Sequence, residues 1–140
     1  MGRQLIIEAD GGSRGIPGIA AGGAVVIDGE TAELLAEVGV YIGHATNNVA
    51  EYNGLLAGLH RAFEIDPSAS IHVRMDSKLV VEQMSGRWKI KHPDMAILAS
   101  QARSLIGTRV VTYEWVPRLN NALADAAANK AMDAQESFQS

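Results

Sequence analysis

The chain has 140 residues, of which 47% are hydrophobic, and a formal net charge of −4. This length suits one domain with its own core. The chain has no cysteine, which excludes disulfides and thiolate metal sites. The acidic balance argues against a general nucleic-acid coating protein, so any nucleic-acid surface must be local. We see neither a secretory signal nor a membrane-length apolar run, and we expect a cytoplasmic protein with no membrane partner.

The first part of the sequence predicts three strands followed by a helix. Residues 4–9 have the apolar character of a buried strand. Two more strand-like stretches within residues 21–42 are joined by Asp28-Gly29, a hairpin signal. The periodicity then becomes helical over residues 46–65, with Thr46 as a candidate N-cap. These three strands are expected to form a meander.

The second part alternates strands with helices. The pattern predicts a strand over 70–75, a short helix over 76–86, a helix over 92–107, a strand over 109–116 and an alanine-rich helix over 120–133. Three strands followed by alternating elements predict an α/β fold, a mixed sheet with helices packed on it. We expect residues 1–134 to form one domain and residues 135–140 to be a weakly structured tail.

Four carboxylates stand out by their place in these elements. Asp10 follows the first strand, Glu51 lies early in the first helix, Asp76 follows the strand at 70–75, and Asp125 lies in the last helix. Sites in α/β sheets gather at strand ends and adjoining helix turns. Four bare anions in one small site would repel each other, and divalent cations resolve this. From the pattern alone, helix capping or an ordinary surface position stays open for each acid.

Four stretches carry a family resemblance. In chain order they are ADGGSRG, ATNNVAEYNGLLAGL, MDSKLVVEQMSG and WVPRLNNALADAAANKAMD. Their order and context resemble ribonuclease H type 1, from about residue 4 to residue 133. The resemblance is greatest to the short bacterial and archaeal members. It extends to the N-terminal domain of actinobacterial proteins that fuse ribonuclease H to a histidine-type phosphatase.

The resemblance implies a ribonuclease H-like fold, a five-stranded mixed sheet whose first three strands are antiparallel. It implies cleavage of the RNA strand of RNA–DNA hybrids with two Mg²⁺ ions, or Mn²⁺ in their place. The products would carry 3′-hydroxyl and 5′-phosphate ends. The catalytic, metal-binding acids would be Asp10, Glu51, Asp76 and Asp125.

Substrate contacts are implied in the same way, because the enzyme must sense 2′-hydroxyls on one strand and their absence on the other. The candidates are Gly11, Gly12, Ser13, Thr46, Asn47, Asn48, Ser77, Trp88, Arg118 and Asn121. Seven of them have a structural alternative. It is packing for Trp88, a surface position for Arg118, and helix capping for Thr46, Asn47, Asn48, Ser77 and Asn121. Asn121 has the further alternative of orienting Asp125.

Two departures from the family pattern affect these expectations. The segment RWKIKHPD is shorter than the basic protrusion of many members, so we expect weaker and more salt-sensitive hybrid binding. The loop VPRLNN lacks the histidine that many members carry, and Arg118 stands in it.

Three other readings compete with the nuclease. They are a hybrid-binding module without catalysis, a strand-transfer or junction enzyme of the same fold, and a phosphate-binding module. The last of these lacks the Lys-Ser/Thr ending of a P-loop. We expect a monomer, and the polar tail would suit a linker to a further domain.

Overall fold

The computed structural model describes residues 2–140 and contains one six-stranded mixed sheet. The strands are β1 (Gln4–Gly15), β2 (Gly18–Asp28), β3 (Leu34–Ala45), β4 (Ser70–Met75), β5 (Val111–Trp115) and β6 (Phe138–Gln139). The helices are α1 (Asn47–Ile65), α2 (Lys78–Met84), α3 (Pro93–Ile106) and α4 (Ala122–Ala134), with a 3₁₀ turn at Arg118–Asn121. Within residues 2–140, no helix has the length and apolarity needed to cross a membrane.

The sheet order is β5-β4-β1-β2-β3-β6. The pairs β1–β2 and β2–β3 are antiparallel, whereas β1–β4 and β4–β5 are parallel. The predicted α/β class, the antiparallel first three strands and the flanking helices are therefore confirmed.

The main core lies between α1 and the sheet. Its largest fully buried side chains include Tyr52, Leu55 and Leu59 of α1, which pack on Leu5 and Ile7 of β1. The opposite face of the sheet carries α4, whose buried side chains are mostly alanines. The alternation of side chains along β2 separates the two faces.

Helix α1 approaches β1 and β2 so closely that no side chain fits between the backbones. A Cβ atom added to Gly54 would lie 2.1 Å from the carbonyl oxygen of Asp10. One added to Gly22 would lie 2.3 Å from the Gly54 nitrogen, and one added to Gly11 would lie 2.2 Å from the Ala50 carbonyl carbon. These three glycines therefore set the distance between the helix and the strands.

The C-terminal tail differs from the expectation. Residues Phe138–Gln139 form β6, which pairs antiparallel with Val38 and Gly39 of β3. The expected count of five strands is therefore one too low. The Phe138 ring occupies the space beside Gly39, where an added Cβ would lie 2.2 Å from a ring carbon, and the Lys130 Nζ lies 4.3 Å from the ring centroid. A single aromatic residue in a polar tail gave no strand pattern. The domain boundary at residue 134 stays a prediction.

We predict that Gly54→Ala destabilises the fold by about 3 kcal/mol, although alanine normally gains about 1 kcal/mol over glycine inside a helix. The reason is that the new methyl group would overlap the backbone oxygen of Asp10, which no rotamer change can relieve. The midpoint of urea denaturation measures the effect.

Gly12→Ala is the matched control for this change. Its added methyl group would meet only the flexible end of Met132, at 3.4 Å, and it should change the free energy of unfolding by less than about 1 kcal/mol. Equal stability of Gly54→Ala and the wild-type protein would contradict the close-packing account.

Candidate active site

One cavity of about 390 Å³ contains all four acids singled out in the sequence. It opens where β1 and β4 diverge and is walled by the start of α1 and by α4. Its lining residues are Asp10, Gly11, Gly12, Ser13, Arg14, Asn47, Glu51, Asp76, Arg118, Asp125, Ala128, Asn129 and Met132. Four carboxylates and two arginines thus line one small space.

The two strand acids occupy equivalent places on neighbouring strands. The parallel β1–β4 ladder runs to the pair Ala9 and Met75, and Asp10 and Asp76 are the next residues. The expectation that β1 ends at Asp10 was wrong, because β1 continues to Gly15 in register with β2. The glycines after Asp10 are therefore part of a regular strand. The pairing of β1 with β2 continues both before and after Asp10 and holds its backbone in place.

The two helix acids reach the cavity from opposite faces of the sheet. Glu51 lies next to the fully buried Tyr52, in the part of α1 that touches the glycines of β1 and β2. Asp125 lies in the first turn of α4. Its backbone carbonyl accepts a hydrogen bond from Asn129 Nδ2 at 3.0 Å, a contact that does not use the carboxylate.

The acids are held against their own repulsion. Burial, followed by the charges of Asp76, Glu51 and Asp125, raises the pKa of Asp10 to about 8, and only the Gly11 backbone N–H opposes this. Burial and the charge of Asp76 also raise the pKa of Glu51 to about 7. Raised carboxyl pKa values mean that the protein surroundings disfavour full ionisation of the site.

Asn121 fixes one of the acids from behind. Its side chain is fully buried, and its Nδ2 donates to the Ala9 carbonyl at 2.8 Å and to Asp76 Oδ1 at 3.1 Å. Asn121 makes no capping hydrogen bond with its side chain. The two structural roles expected from the sequence, capping the helix and orienting Asp125, were therefore wrong, because the 3₁₀ turn directs the amide toward β1 and β4. Burial also separates this amide from the cavity surface.

Two hydroxyl residues predicted as substrate contacts act as helix caps. Thr46 Oγ1 accepts from the Val49 backbone N–H at 3.4 Å, and Ser77 Oγ accepts from that of Val80 at 3.2 Å. The Ser77 hydroxyl also hydrogen-bonds the Glu51 carboxylate and lowers its pKa, against the larger effect of burial. In the structure, Thr46 therefore caps α1, whereas Ser77 caps α2 and also contacts Glu51.

The first turn of α1 divides two cavities. Asn47 lines the acid cavity, and its Oδ1 accepts from the Ser13 backbone N–H at 2.7 Å, so that amide already has a partner. Asn48 and the half-exposed Trp88 line a second cavity of about 660 Å³, together with Lys89 and Lys91. Consecutive asparagines therefore face two different spaces.

The basic charge of the second cavity is smaller than the sequence suggests. Arg87 lines this cavity but forms an ion pair with Glu82, which Lys78 also contacts at 3.2 Å. Within residues 2–140, neither Lys89 nor Lys91 forms an ion pair. Two lysines are left to attract a nucleic-acid backbone, which agrees with the expectation of weaker hybrid binding. The expected greater salt sensitivity stays a prediction.

Four residues that line the acid cavity were missed in the sequence: Arg14, Ala128, Asn129 and Met132. Arg14 shares the strand face of Asp10 by the period-two rule. Asn129 lies one helical turn after Asp125, and Met132 follows in the next turn. The strand period and the helical spacing were both present in the sequence. The expectation that β1 ends at Asp10 hid the place of Arg14 on the strand.

The donor set fits a hard divalent cation. All four acids offer oxygen ligands, and a cation would offset the burial and the repulsion that together raise the pKa of Asp10. Within residues 2–140, no three His, Asp or Glu side chains are already grouped closely enough to hold an ion together. The fit therefore rests on the chemistry and the shared cavity of the acids, and their role as metal ligands stays a prediction.

We predict that Asp10→Asn stabilises the metal-free protein at pH 8 and changes it little at pH 4. The pKa of Asp10 rises from its ordinary 3.8 to about 8 on folding, so wild-type stability falls as the pH rises through this interval. The gain at pH 8 should be at least about 2 kcal/mol, which would raise the melting temperature by at least about 5 °C.

Glu64→Gln, a charge-removing change at an exposed position on α1, is the control and should show no such pH dependence. Melting curves with a chelator measure both variants. A stabilisation by Asp10→Asn that is equal at the two pH values would contradict the claim that burial and repulsion raise the pKa of Asp10.

Comparison with known proteins agrees with this geometry. A family model described as "Reverse transcriptase-like" matches residues 8–131. The "Bifunctional protein Rv2228c" of Mycobacterium tuberculosis is 57% identical over 132 residues, which cover 94% of this chain and 36% of that protein. "Ribonuclease HI" of Halobacterium salinarum is 43% identical over 125 residues, 89% of this chain and 62% of that protein. The chain thus spans only about a third of its mycobacterial relative.

Solved structures match over nearly the whole chain. The N-terminal RNase H domain of Rv2228c, fused to maltose binding protein, has a TM-score of 0.89 and 56% identity, covering 94% of this chain and 95% of that one. RNase H1 from Halobacterium salinarum has a TM-score of 0.88 and 40% identity, and the match covers 94% of this chain and 98% of that one. LC11-RNase H1, solved in complex with an RNA/DNA hybrid, has a TM-score of 0.88 and 37% identity, with the same coverage of 94% and 98%. The chain belongs to the ribonuclease H type 1 family.

Proposed function

We propose that this domain is an endonuclease that hydrolyses the RNA strand of RNA–DNA hybrids. The observation that carries the proposal is the single cavity into which Asp10, Glu51, Asp76 and Asp125 converge. The family membership supports it, since one relative of the same fold was solved with an RNA/DNA hybrid. The activity of any longer protein that contains this domain is part of the same proposal.

We further propose that the four acids hold two Mg²⁺ ions, or Mn²⁺ in their place. Such ions, when bound, activate water and stabilise the leaving oxygen in an in-line displacement at phosphorus. Attack on the phosphodiester would leave 5′-phosphate and 3′-hydroxyl ends.

The role of this chain's own residues is to fix the carboxylates before the substrate arrives. The Asn121 Nδ2 atom donates to Asp76 Oδ1 at 3.1 Å, and the Gly11 N–H and the Ser77 hydroxyl favour the charged forms of Asp10 and Glu51 by lowering their pKa values.

The two cavities support a division of the hybrid between them. The RNA strand would lie in the acid cavity, against Gly11, Gly12 and Asn47, where bare glycines allow a backbone to come close. The DNA strand would lie in the second cavity, against Asn48 and Trp88. A protein tells RNA from DNA through the 2′-hydroxyl, so contacts along the acid cavity would select the RNA strand.

The alternative function is a catalytically weak hybrid-binding module. The full set of acids and the raised pKa of Asp10 and Glu51 favour an enzyme, because a binding surface gains nothing from buried repelling carboxylates. The strand-transfer reading remains distinguishable by substrate. A cytoplasmic location, a monomeric state and a fused phosphatase domain stay predictions, although the name of the mycobacterial relative describes it as bifunctional.

We predict Mg²⁺-dependent cutting of only the RNA strand of a labelled hybrid, with no cutting of duplex RNA, duplex DNA or single-stranded RNA. Asp10→Asn should lower the rate at least about 10³-fold, which corresponds to about 4 kcal/mol of transition-state stabilisation. Glu64→Gln, on the exposed side of α1, should cleave like the wild-type protein.

Binding of the hybrid without cutting, by a folded protein under both Mg²⁺ and Mn²⁺, would reject the nuclease and favour the binding module. Cutting of duplex DNA in preference to the hybrid would favour the strand-transfer reading instead.

We predict that Asn121→Ala lowers kcat by about 10- to 100-fold and raises the Mg²⁺ concentration needed for half-maximal rate. The reason is that Asp76 loses the amide that orients its Oδ1 atom. KM for the hybrid should stay near the wild-type value, because the Asn121 side chain is fully buried.

Asn121→Ser is made alongside, because it keeps a polar group at this buried position. It helps to separate a loss of activity from a loss of folding stability. Circular dichroism melting checks both variants. A higher KM with an unchanged Mg²⁺ requirement would mean that Asn121 contacts the substrate instead.

A further inference from the structure

Arg14 is a positively charged residue that lines the acid cavity, and the nuclease mechanism proposed above gives it no role. Of the 12 lysines and arginines in the chain, only Arg14 and Arg118 line this cavity. Four carboxylates in the same space would repel an incoming nucleic-acid backbone. A cation held there has a use that an ordinary surface arginine does not have.

Two residues of α4 hold the Arg14 side chain. Its Nη2 atom lies 2.6 Å from Asp133 Oδ1 and 3.2 Å from Asn129 Oδ1. Asn129 and Asp133 are one helical turn apart, so they present both oxygens to the same nitrogen. Among the described residues, the Nε and Nη1 atoms of Arg14 have no hydrogen-bond partner. The guanidinium is therefore anchored at one end, with donors to spare.

The ion pair is a poor explanation of Arg14 by stability alone. The Arg14 and Asp133 side chains are 44% and 69% exposed. Exposed pairs of this kind contribute about 0–1 kcal/mol, because water and salt screen them. Solvent exposure weakens the pair, but the pair still orients the guanidinium of Arg14.

The place of Arg14 along β1 indicates what it can reach. Asp10, Gly12 and Arg14 share one face of the strand, and four residues of strand span about 13 Å. Gly12 between them leaves the backbone bare. A nucleic-acid strand whose reacting phosphate lies at Asp10 would therefore bring a neighbouring phosphate of the same strand toward Arg14.

We propose that Arg14 binds a non-reacting phosphate of the RNA strand and that Asp133 and Asn129 orient its guanidinium for this contact. The inference rests on the proposed function. Guanidinium offers paired N–H donors that match phosphate oxygens. Arg14 thus contributes to hybrid affinity and to its salt dependence, and it takes no part in the chemical step.

The test measures hybrid binding in an Asp10→Asn background with Mg²⁺, by fluorescence polarisation across a salt series. Adding Arg14→Gln should weaken binding about 10-fold at moderate salt and make the slope of log Kd against log salt smaller by about one unit. In the cleaving protein, Arg14→Gln should raise KM and leave kcat at saturating hybrid unchanged.

Asp133→Asn is the matched variant, since it breaks the same ion pair while keeping the arginine. It should keep the full salt slope and lose less than about 3-fold in affinity. Identical effects of Asp133→Asn and Arg14→Gln would overturn the inference, because they would mean that the pair only ties β1 to α4. An unchanged slope in Arg14→Gln would also overturn it. No hybrid binding by the folded Asp10→Asn parent would overturn the proposed function itself.

Discussion

The contact between the backbones of α1 and of β1–β2 is the constraint on which the site depends. Gly54 leaves no room for a side chain against the Asp10 carbonyl oxygen, and Gly11 and Gly22 leave none on the strands. Because the helix lies so close, Glu51 reaches the same cavity as Asp10. A helix held at the usual side-chain distance would carry Glu51 away from the strand acids. Small residues in this core therefore serve the site as much as the packing.

The closeness of the acids has an energetic cost, which the surrounding hydrogen bonds limit. Burial and mutual repulsion raise the pKa of Asp10 and of Glu51. The Gly11 N–H and the Ser77 hydroxyl oppose this rise for Asp10 and Glu51, and the buried amide of Asn121 donates to Asp76. The site thus has a fixed carboxylate arrangement and a negative charge that favours cations and disfavours nucleic acid. Two arginines at the cavity edge and two lysines beside Trp88 offset that charge where a nucleic-acid backbone would pass.

The fold class and the meeting of the four acids in one cavity could be predicted from the sequence, because they follow from periodicity and from four linked motifs. The role of the acids as metal ligands stays a prediction. It failed where the outcome depended on a tertiary contact. Asp10 lies inside a strand because β2 continues to pair with the glycines after it. Asn121 turns toward Asp76 because the 3₁₀ turn precedes α4. The tail forms β6 because Phe138 finds the bare surface of Gly39. None of these partners is near in the chain, so no local pattern could reveal them.

The most direct test of the account is the position of bound Mn²⁺ in crystals of the wild-type domain, located by anomalous scattering. The account predicts manganese inside the acid cavity, bound by carboxylate oxygens that include Asp10, and loss of that density in Asp10→Asn crystals. Manganese bound only outside the cavity, at concentrations that support hybrid cleavage, would contradict the claim that α1 and the sheet assemble a metal site.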